Sequence, residues 1–505
     1  MPRTHFQVVT ALPAPSAYFR FQERTRILRV GVMLLLLLAA TAATLSAQTF
    51  KTLHSFCSKT NPAGSCLDGG FPTSALVQGT NGVLYGTTNN GGTNVYGTVF
   101  KINTGGTLTT IYNFCSQASC TDGANPQGGL VLASNGSFYG VARVGGAYGY
   151  GTVFKITGAG KLTTLHSFND TDGSYPQAAL TQAANGNFYG TTAFGGVYNN
   201  GSAFEITPSG TFTSLYSFCP SGVCTDGSEL TSGLIQAADG NFYGTAYGGG
   251  SSCSPNSGSG SFFQLTSSGT LTTLGGFCQP NGFSPNSSLV QGANGDFYGT
   301  TAAGGDGTNT GFGTVYEMTS TGSLTTLYSF CLQTTCVDGN IPLAILMGTD
   351  GNFYGTTENG GANNGVGTVF DITPTGQLTT LHTFTGTDGS NPRAGLLLDT
   401  NGTFYGTTSQ GGQYSKGVVF SLATGIGPFV ETIPTAGKVG TKVIILGSNL
   451  KGATAVSFNG TAAIFKVVSA SEITTTVPAG ATNGTVTVAT LGGTTLNSNV
   501  AFRVQ

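Results

Sequence analysis

Residues 341–384 read IPLAILMGTDGNFYGTTENGGANNGVGTVFDITPTGQLTTLHTF, and this stretch decides the fold. Four short runs, LAILM, NFYGTT, GTVFDIT and LTTLHTF, are rich in apolar, β-branched and aromatic residues and alternate with turns, as consecutive strands do. The tyrosine of the second run recurs at Tyr85, Tyr139, Tyr189, Tyr243, Tyr298, Tyr354 and Tyr405, seven copies spaced 50 to 56 residues apart. A period of that length marks an array of supersecondary units. Asn-Gly or Asp-Gly (Asn81-Gly82, Asp350-Gly351, Asn401-Gly402) precedes the tyrosine and suits a type I′ hairpin, in which both central residues need positive φ. Four antiparallel strands per unit and seven units give an all-β, seven-bladed β-propeller. A β-solenoid is the alternative, but its coils run to about 20–30 residues with little hairpin chemistry.

The first unit opens on the run QTFKTLHSF, and the last stops after GVVFSL without a fourth strand. Residues 49–56 are therefore expected to close the ring beside residues 418–422.

Composition agrees with a packed repeat array. Of 505 residues 81 are glycine and only 8% are charged, yet 33 phenylalanines and 19 tyrosines recur with the period, which a solvated polymer would not sustain. A net charge of -2 and the lack of a basic patch argue against nucleic acid as a partner. Near the N-terminus Arg24, Arg26 and Arg29 precede the apolar run VGVMLLLLLAATAATL, and Ala47 offers a small residue for cleavage. The run is short for a membrane span. Residues 1–47 are read as a signal peptide, leaving a mature chain with no span, secreted or at the cell surface.

The unit FYGTTxxGGxxxxGTVFxITxxGxLTTLxSF resembles the GloVer-type tandem repeat of bacterial surface and secreted proteins, from residue 49 to about 424. Its diglycine followed by a VFxIT strand is also similar to a kelch blade, although the chain has no tryptophan. The kelch resemblance implies the order LAILM innermost, then NFYGTT, GTVFDIT, and LTTLHTF at the rim. Beyond a boundary near residues 425–428, KVIILG and TVTVAT alternate like half-buried strands. That segment resembles an IPT/TIG domain, an immunoglobulin-like β-sandwich. The expected domains are a propeller over 48–424 and an IPT/TIG module over 428–505.

Three loops between units carry paired cysteines, FCSQASCTDG, FCPSGVCTDG and FCLQTTCVDG, whereas SFNDTDG and TFTGTDG are shorter and lack them. A metal site needs about four ligands in one place, and each pair here belongs to a different blade. A redox pair would be CxxC, with a helix to depress a thiol pKa. Disulfides remain, and ten cysteines in a secreted chain fit them. The expected bonds are Cys57–Cys66, Cys115–Cys120, Cys219–Cys224, Cys331–Cys336 and Cys253–Cys278. His54, His166 and His382 share a repeat position with Tyr112, Tyr216 and Tyr328 and read as rim-strand side chains. Asp68, Asp122, Asp172, Asp226, Asp338 and Asp388 recur as Asp-Gly. They could form a cation-binding ring, but repetition favours Asx-type turns ahead of the inner strands.

No nucleophile motif, phosphate loop or cofactor fingerprint is present, and no metal or cofactor is expected. Arg143, Asp306, Glu358 and Lys416 each stand alone in a diglycine loop, and Asp306 with Glu358 is the one conceivable glycosidase pair. The same loops hold Tyr96, Tyr148, Tyr150, Tyr198, Phe312 and Tyr414, which either stack on a ligand or pack between loops. Only the loops after second and fourth strands vary in length, so their shared face is the expected recognition surface. The leading reading is a binding propeller for carbohydrate or a cell-surface protein. A polysaccharide lyase or glycosidase, and a passive structural or adhesive protein, are the alternatives.

Overall fold

The computed structural model describes residues 48–250, 259–278, 281–305, 311–332, 335–362 and 365–505. Among them seven antiparallel sheets follow in chain order, the first six each from one repeat. The first consists of Val77–Gln78, Leu84–Thr88, Thr98–Ile102 and Leu108–Asn113, hydrogen-bonded in that order. The seventh takes three strands, Leu397–Leu398, Thr403–Thr408 and Val418–Ala423, from the last repeat and its rim strand, Thr49–Ser55, from the N-terminus. Thr49 pairs with Ala423 and Ser55 with Val418, so the ring closes as the unfinished ends of the repeat array require.

The invariant Tyr-Gly has two structural tasks. Each glycine lies opposite the aromatic of the third strand, as Gly190 opposite Phe204 and Gly355 opposite Phe370. A Cβ on Gly190 would stand 2.6 Å from Phe204 Cζ and 2.7 Å from Leu180 Cδ2, so the third-strand ring fills the space a side chain would take. Each tyrosine points the other way, into the seam with the next blade. Tyr139 meets Phe188 with ring centroids 4.0 Å apart and Tyr189 meets Phe242 at 3.9 Å. Tyr85, Tyr243, Tyr298 and Tyr354 repeat the contact at 4.3 Å with Phe138, Phe297, Phe353 and Phe404. At the closing seam Tyr405 meets Leu84 instead.

The hairpin before the tyrosine departs from type I′. Gly79 donates to Val83 O and Gly82 donates to Gly79 O, which leaves three loop residues rather than two. Gly82 has φ 71°, while Asn81 is not among the residues of positive φ. This is a type I turn closed by a left-handed glycine, the usual three-residue hairpin. The Asn side chain is used instead: its Oδ1 accepts from Val83 N, and its Nδ2 donates to the Tyr85 hydroxyl at 3.2 Å. Asp239 and Asp350 make the same link by accepting from Tyr243 and Tyr354. Burial first, and then neighbouring carboxylates, push the phenols of Tyr243 and Tyr298 up to about 12, which keeps them protonated donors at neutral pH.

The inner strand is a two-residue ladder in most blades. In the sixth it is continuous, Asn340–Met347, because Pro342 and Ile345 flank one extra residue, whereas Pro285 and Val290 of the fifth flank two.

After the ring come two facing sheets, one containing Lys442–Leu446 and Glu472–Thr476, the other Ala453–Phe458 and Val486–Thr490. Val443, Ile445, Val456, Phe458, Ile473 and Val488 form the core between them. This sandwich docks on the side of the ring that carries the inner hairpins. Ile444 and Leu446 join the cluster of Tyr85, Leu132 and Phe138. Ser471 donates to Thr80 O, Phe429 N to Thr400 O, and the Arg503 guanidinium to Gln236 O. Those partners belong to the inner hairpins and inner strands of blades one, seven and four, so the sandwich lies across the hairpin end of the central channel. At the seam Asp399 is 3% exposed and accepts a bond from Thr400 N. Burial pushes its carboxyl up to about 6; burial and then the Asp399 charge push that of Glu431 up to about 7.

Two outcomes follow from this packing. In blade five Tyr316 replaces the phenylalanine over the glycine; it is fully buried, and its hydroxyl has no hydrogen-bond partner among the described residues. Tyr316→Phe should therefore raise stability by about 1 kcal/mol or more in denaturant titration. For Asp399, the native carboxyl keeps its proton up to about pH 6, whereas an unfolded aspartate releases it near pH 4. The native state binds the extra proton in that window, so the group's effect on stability is most favourable at low pH and worsens as pH rises through 6. Asp399→Asn should be more stable than the parent at pH 8, by on the order of 2–3 kcal/mol, and show no advantage near pH 4.

Candidate functional site

The side of the ring opposite the sandwich is built by the diglycine loops and the loops between blades, and hydrogen bonds join the two sets. In six of the seven pairs the second glycine donates to the blade-to-blade loop among the described residues, as Gly92 N to Cys66 O, Gly146 N to Cys120 O and Gly361 N to Cys336 O. The first lies against backbone; a Cβ on Gly145 would be 2.7 Å from Cys120 O, and its φ of 78° is the left-handed region. Bonds Cys57–Cys66, Cys115–Cys120, Cys219–Cys224 and Cys331–Cys336 close the longer loops. The expected Cys253–Cys278 bond involves Cys253, which lies outside the described residues.

The recurrent aspartates are not Asx turns facing the inner strands. Each reaches back to close the loop that precedes it. Asp68 accepts from Cys57 N, Ser58 N, the Ser58 hydroxyl and the His54 ring, and Asp388 from Thr385 N and His382. Tyr112, Tyr216 and Tyr328 take the histidine's place, donating to Asp122, Asp226 and Asp338 at 2.6 to 2.9 Å. This explains why histidine and tyrosine interchange on the rim: each supplies one donor at the same height. Burial raises the Asp68 carboxyl, but the His54 and Ser58 bonds outweigh it and hold it below its ordinary value. Burial pulls the His382 imidazole down despite Asp388, and its ring stacks on Phe50 at 3.6 Å.

Between this lock and each inner strand stands a residue that sequence reasoning missed. In the motif DGxXP the residue before proline is Phe71, Asn125, Tyr175, Ser284, Ile341 or Asn391, with Glu229 before Leu230 in blade four. All seven have φ between 51° and 56°, left-handed backbone that is uncommon for any residue but glycine and an outlier for bulky or β-branched ones. The geometry lets each N–H donate to the preceding blade's loop, Phe71 to Lys416 O, Tyr175 to Tyr150 O, Ile341 to Phe312 O. Carbonyls such as Phe71 O and Asn125 O then accept from Asn89 N and Arg143 N of their own blade. The only signal in the sequence was a variable position inside an otherwise constant motif.

The side chains expected to bind are distributed as follows. Tyr148 is 63% exposed, and Tyr96, Tyr198, Phe312 and Tyr414 are 41 to 44% exposed. Tyr150 is half-buried and packs edge-on against Tyr175 at 6.3 Å. Arg143 lies over the Tyr175 ring at 5.3 Å and Lys416 over Phe71 at 4.7 Å. Glu358 is held by Arg393 at 2.7 Å. Asp306 lies outside the described residues, so the carboxylate pair with Glu358 has only one described member, already engaged as an ion-pair partner.

The chain matches the Gloeobacter/Verrucomicrobia repeat family over residues 41–254 and 223–420, and the IPT/TIG domain over 426–504. No functionally curated protein matches it. Among solved structures it is similar to a putative 6-phosphogluconolactonase from Bacteroides uniformis, with 16% identity over 66% of this chain and 93% of that one and a TM-score of 0.43. It is also similar to the extracellular domain of a putative hybrid two-component system from B. thetaiotaomicron, with 14% identity over 85% of this chain and 52% of that one and a TM-score of 0.47. A gluconolactonase from Xanthomonas campestris matches at 10% identity over 76% and 92%, with a TM-score of 0.37. At these scores none of the three bears on function. The two repeat matches span most of the chain: it belongs to the Gloeobacter/Verrucomicrobia repeat family and carries an IPT/TIG domain.

Proposed function

We propose that this is an extracytoplasmic binding protein that recognises carbohydrate through the diglycine-loop face, with a cell-surface protein as the other class of partner to be tested. One observation carries the reading: exposed aromatics in the loops of blades one, two, three, five and seven gather on the face that the sandwich leaves open. Tyrosine rings offer large contact area at little entropic cost and stack on sugar faces. Loops of variable length on a uniform frame are where binding specificity usually resides. Four disulfides fit an oxidising compartment, and residues 1–47 then act as a cleaved signal peptide ending at Ala47.

A glycan array and a pull-down from cell-surface extract, both with the mature chain, test the reading. Tyr148→Ala and Tyr198→Ala should each weaken binding by about 1 kcal/mol, the scale of an aromatic contact, with little change in melting temperature. A sharp fall in melting temperature at unchanged affinity would mean that these rings pack loops and that recognition lies elsewhere. Release of reducing or unsaturated sugar ends during the assay would favour the lyase or glycosidase alternative.

A further inference from the structure

Two sectors of the open face share a construction that the exposed tyrosines alone do not explain. In blade two Arg143 follows the second strand, lies over Tyr175 of the next blade, and stands in the same loop segment as exposed Tyr148. In blade seven Lys416 lies over Phe71 of the next blade, two residues from exposed Tyr414. Both aromatic partners are left-handed pre-proline residues, so the strained backbone presents the rings that hold the cations.

An aromatic face positions a cation without neutralising it, unlike a carboxylate. Among the described residues neither Arg143 nor Lys416 forms an ion pair, whereas Arg393 on the same face is neutralised by Glu358. Arg143 Nε is buried and has no hydrogen-bond partner, and no bond from the rest of its guanidinium occurs among the described residues. The planar fork is thus oriented by Tyr175 and its bonding capacity is unused. Between the two sectors, in chain order around the ring, Asn125 donates to Asn89 O and the Asn90 side chain, a neutral amide cluster.

We propose that these two sectors are anion subsites, and that the ligand of the loop face is an acidic polysaccharide whose carboxylates pair with Arg143 and Lys416 while its sugar rings stack on Tyr148 and Tyr414. The assignment rests on the reading of that face as a glycan-binding surface and narrows it to a substrate class. The left-handed residues before the inner strands act as its specificity-determining positions: their backbone is the same in every blade, and their side chains decide which blades hold a cation.

The test is titration calorimetry of the mature chain with uronic-acid oligosaccharides and with the same oligosaccharides after carboxyl reduction. The acidic form should bind, weakening as salt rises, and the reduced form should bind at least tenfold more weakly. Arg143→Gln and Lys416→Gln should each cost roughly five- to tenfold in affinity for the acidic form, with Arg143→Lys retaining part of it. Melting curves of each variant separate lost contact from lost fold. Equal binding of acidic and reduced forms, or acidic binding untouched by both charge variants, overturns the anion assignment. If the reduced form still loses affinity with Tyr148→Ala, the loop face stands as a neutral-glycan surface. Failure of both forms to bind, with Tyr148→Ala also leaving any surface-protein capture unchanged, overturns the face reading itself.

Discussion

Everything in the ring depends on a glycine that cannot be anything else. In the second strand of every blade the residue after the signature tyrosine sits beneath the aromatic of the third strand, at distances that leave no room for a methyl group. That crossing brings Phe100, Phe154, Phe204 and their equivalents down onto the inner strand, where Leu76, Leu130 and Leu180 complete the blade. With the glycine's face taken, the neighbouring tyrosine faces the opposite way and forms the seam with the next blade, its hydroxyl tied to the hairpin Asn or Asp. One short motif therefore sets both the thickness of a blade and its distance from the next. The chain has few charges to spend on stability, and dense aromatic contact replaces them.

Because that frame repeats with few changes, difference accumulates mainly where the frame does not dictate the side chain. The hairpin side is occupied by the sandwich, whose Ile444, Leu446 and Arg503 reach the inner strands and hairpins. On the opposite side the left-handed residue before each inner strand is aromatic, amide, carboxylate, hydroxyl or aliphatic while its backbone stays constant. Left-handed backbone at bulky residues costs about 1–3 kcal/mol each and persists only when surroundings impose it. Here hydrogen bonds to two blades impose it. The strain is shared by all blades, so it belongs to the frame, while the side chains it presents differ from blade to blade.

Much of this was legible in the sequence, for identifiable reasons. The period, the four strand runs and the missing rim strand of the last repeat define closure by Thr49–Ser55 because no other segment can complete blade seven. Local cysteine pairs were legible because they accompany a loop insertion and each pair belongs to a different blade. The hairpin type was misread because Asn-Gly is compatible with loops of two or three residues, and only the closing bond from Gly79 to Val83 decides which. The aspartates were misread because an Asx turn is local, whereas Asp68 reaches fourteen residues back to His54. The docking of the sandwich could not be read: Ile444 and Leu446 look like ordinary core residues of their own strand, and the hydrogen bonds to the Thr80, Thr400 and Gln236 carbonyls carry no sequence signal.

The central claim, that the glycine crossing governs the ring, is tested most directly by equilibrium unfolding of Gly190→Ala in the parent and in a Phe204→Leu background. Gly190 has no positive φ to confuse the reading, so the added methyl acts through its approach to Phe204 at 2.6 Å, with Leu180 at 2.7 Å as the second neighbour in both backgrounds. The account predicts a loss of about 1–3 kcal/mol in the parent and a clearly smaller loss when the phenylalanine is shortened. A Gly190→Ala protein as stable as the parent, or an equal loss in both backgrounds, would contradict it.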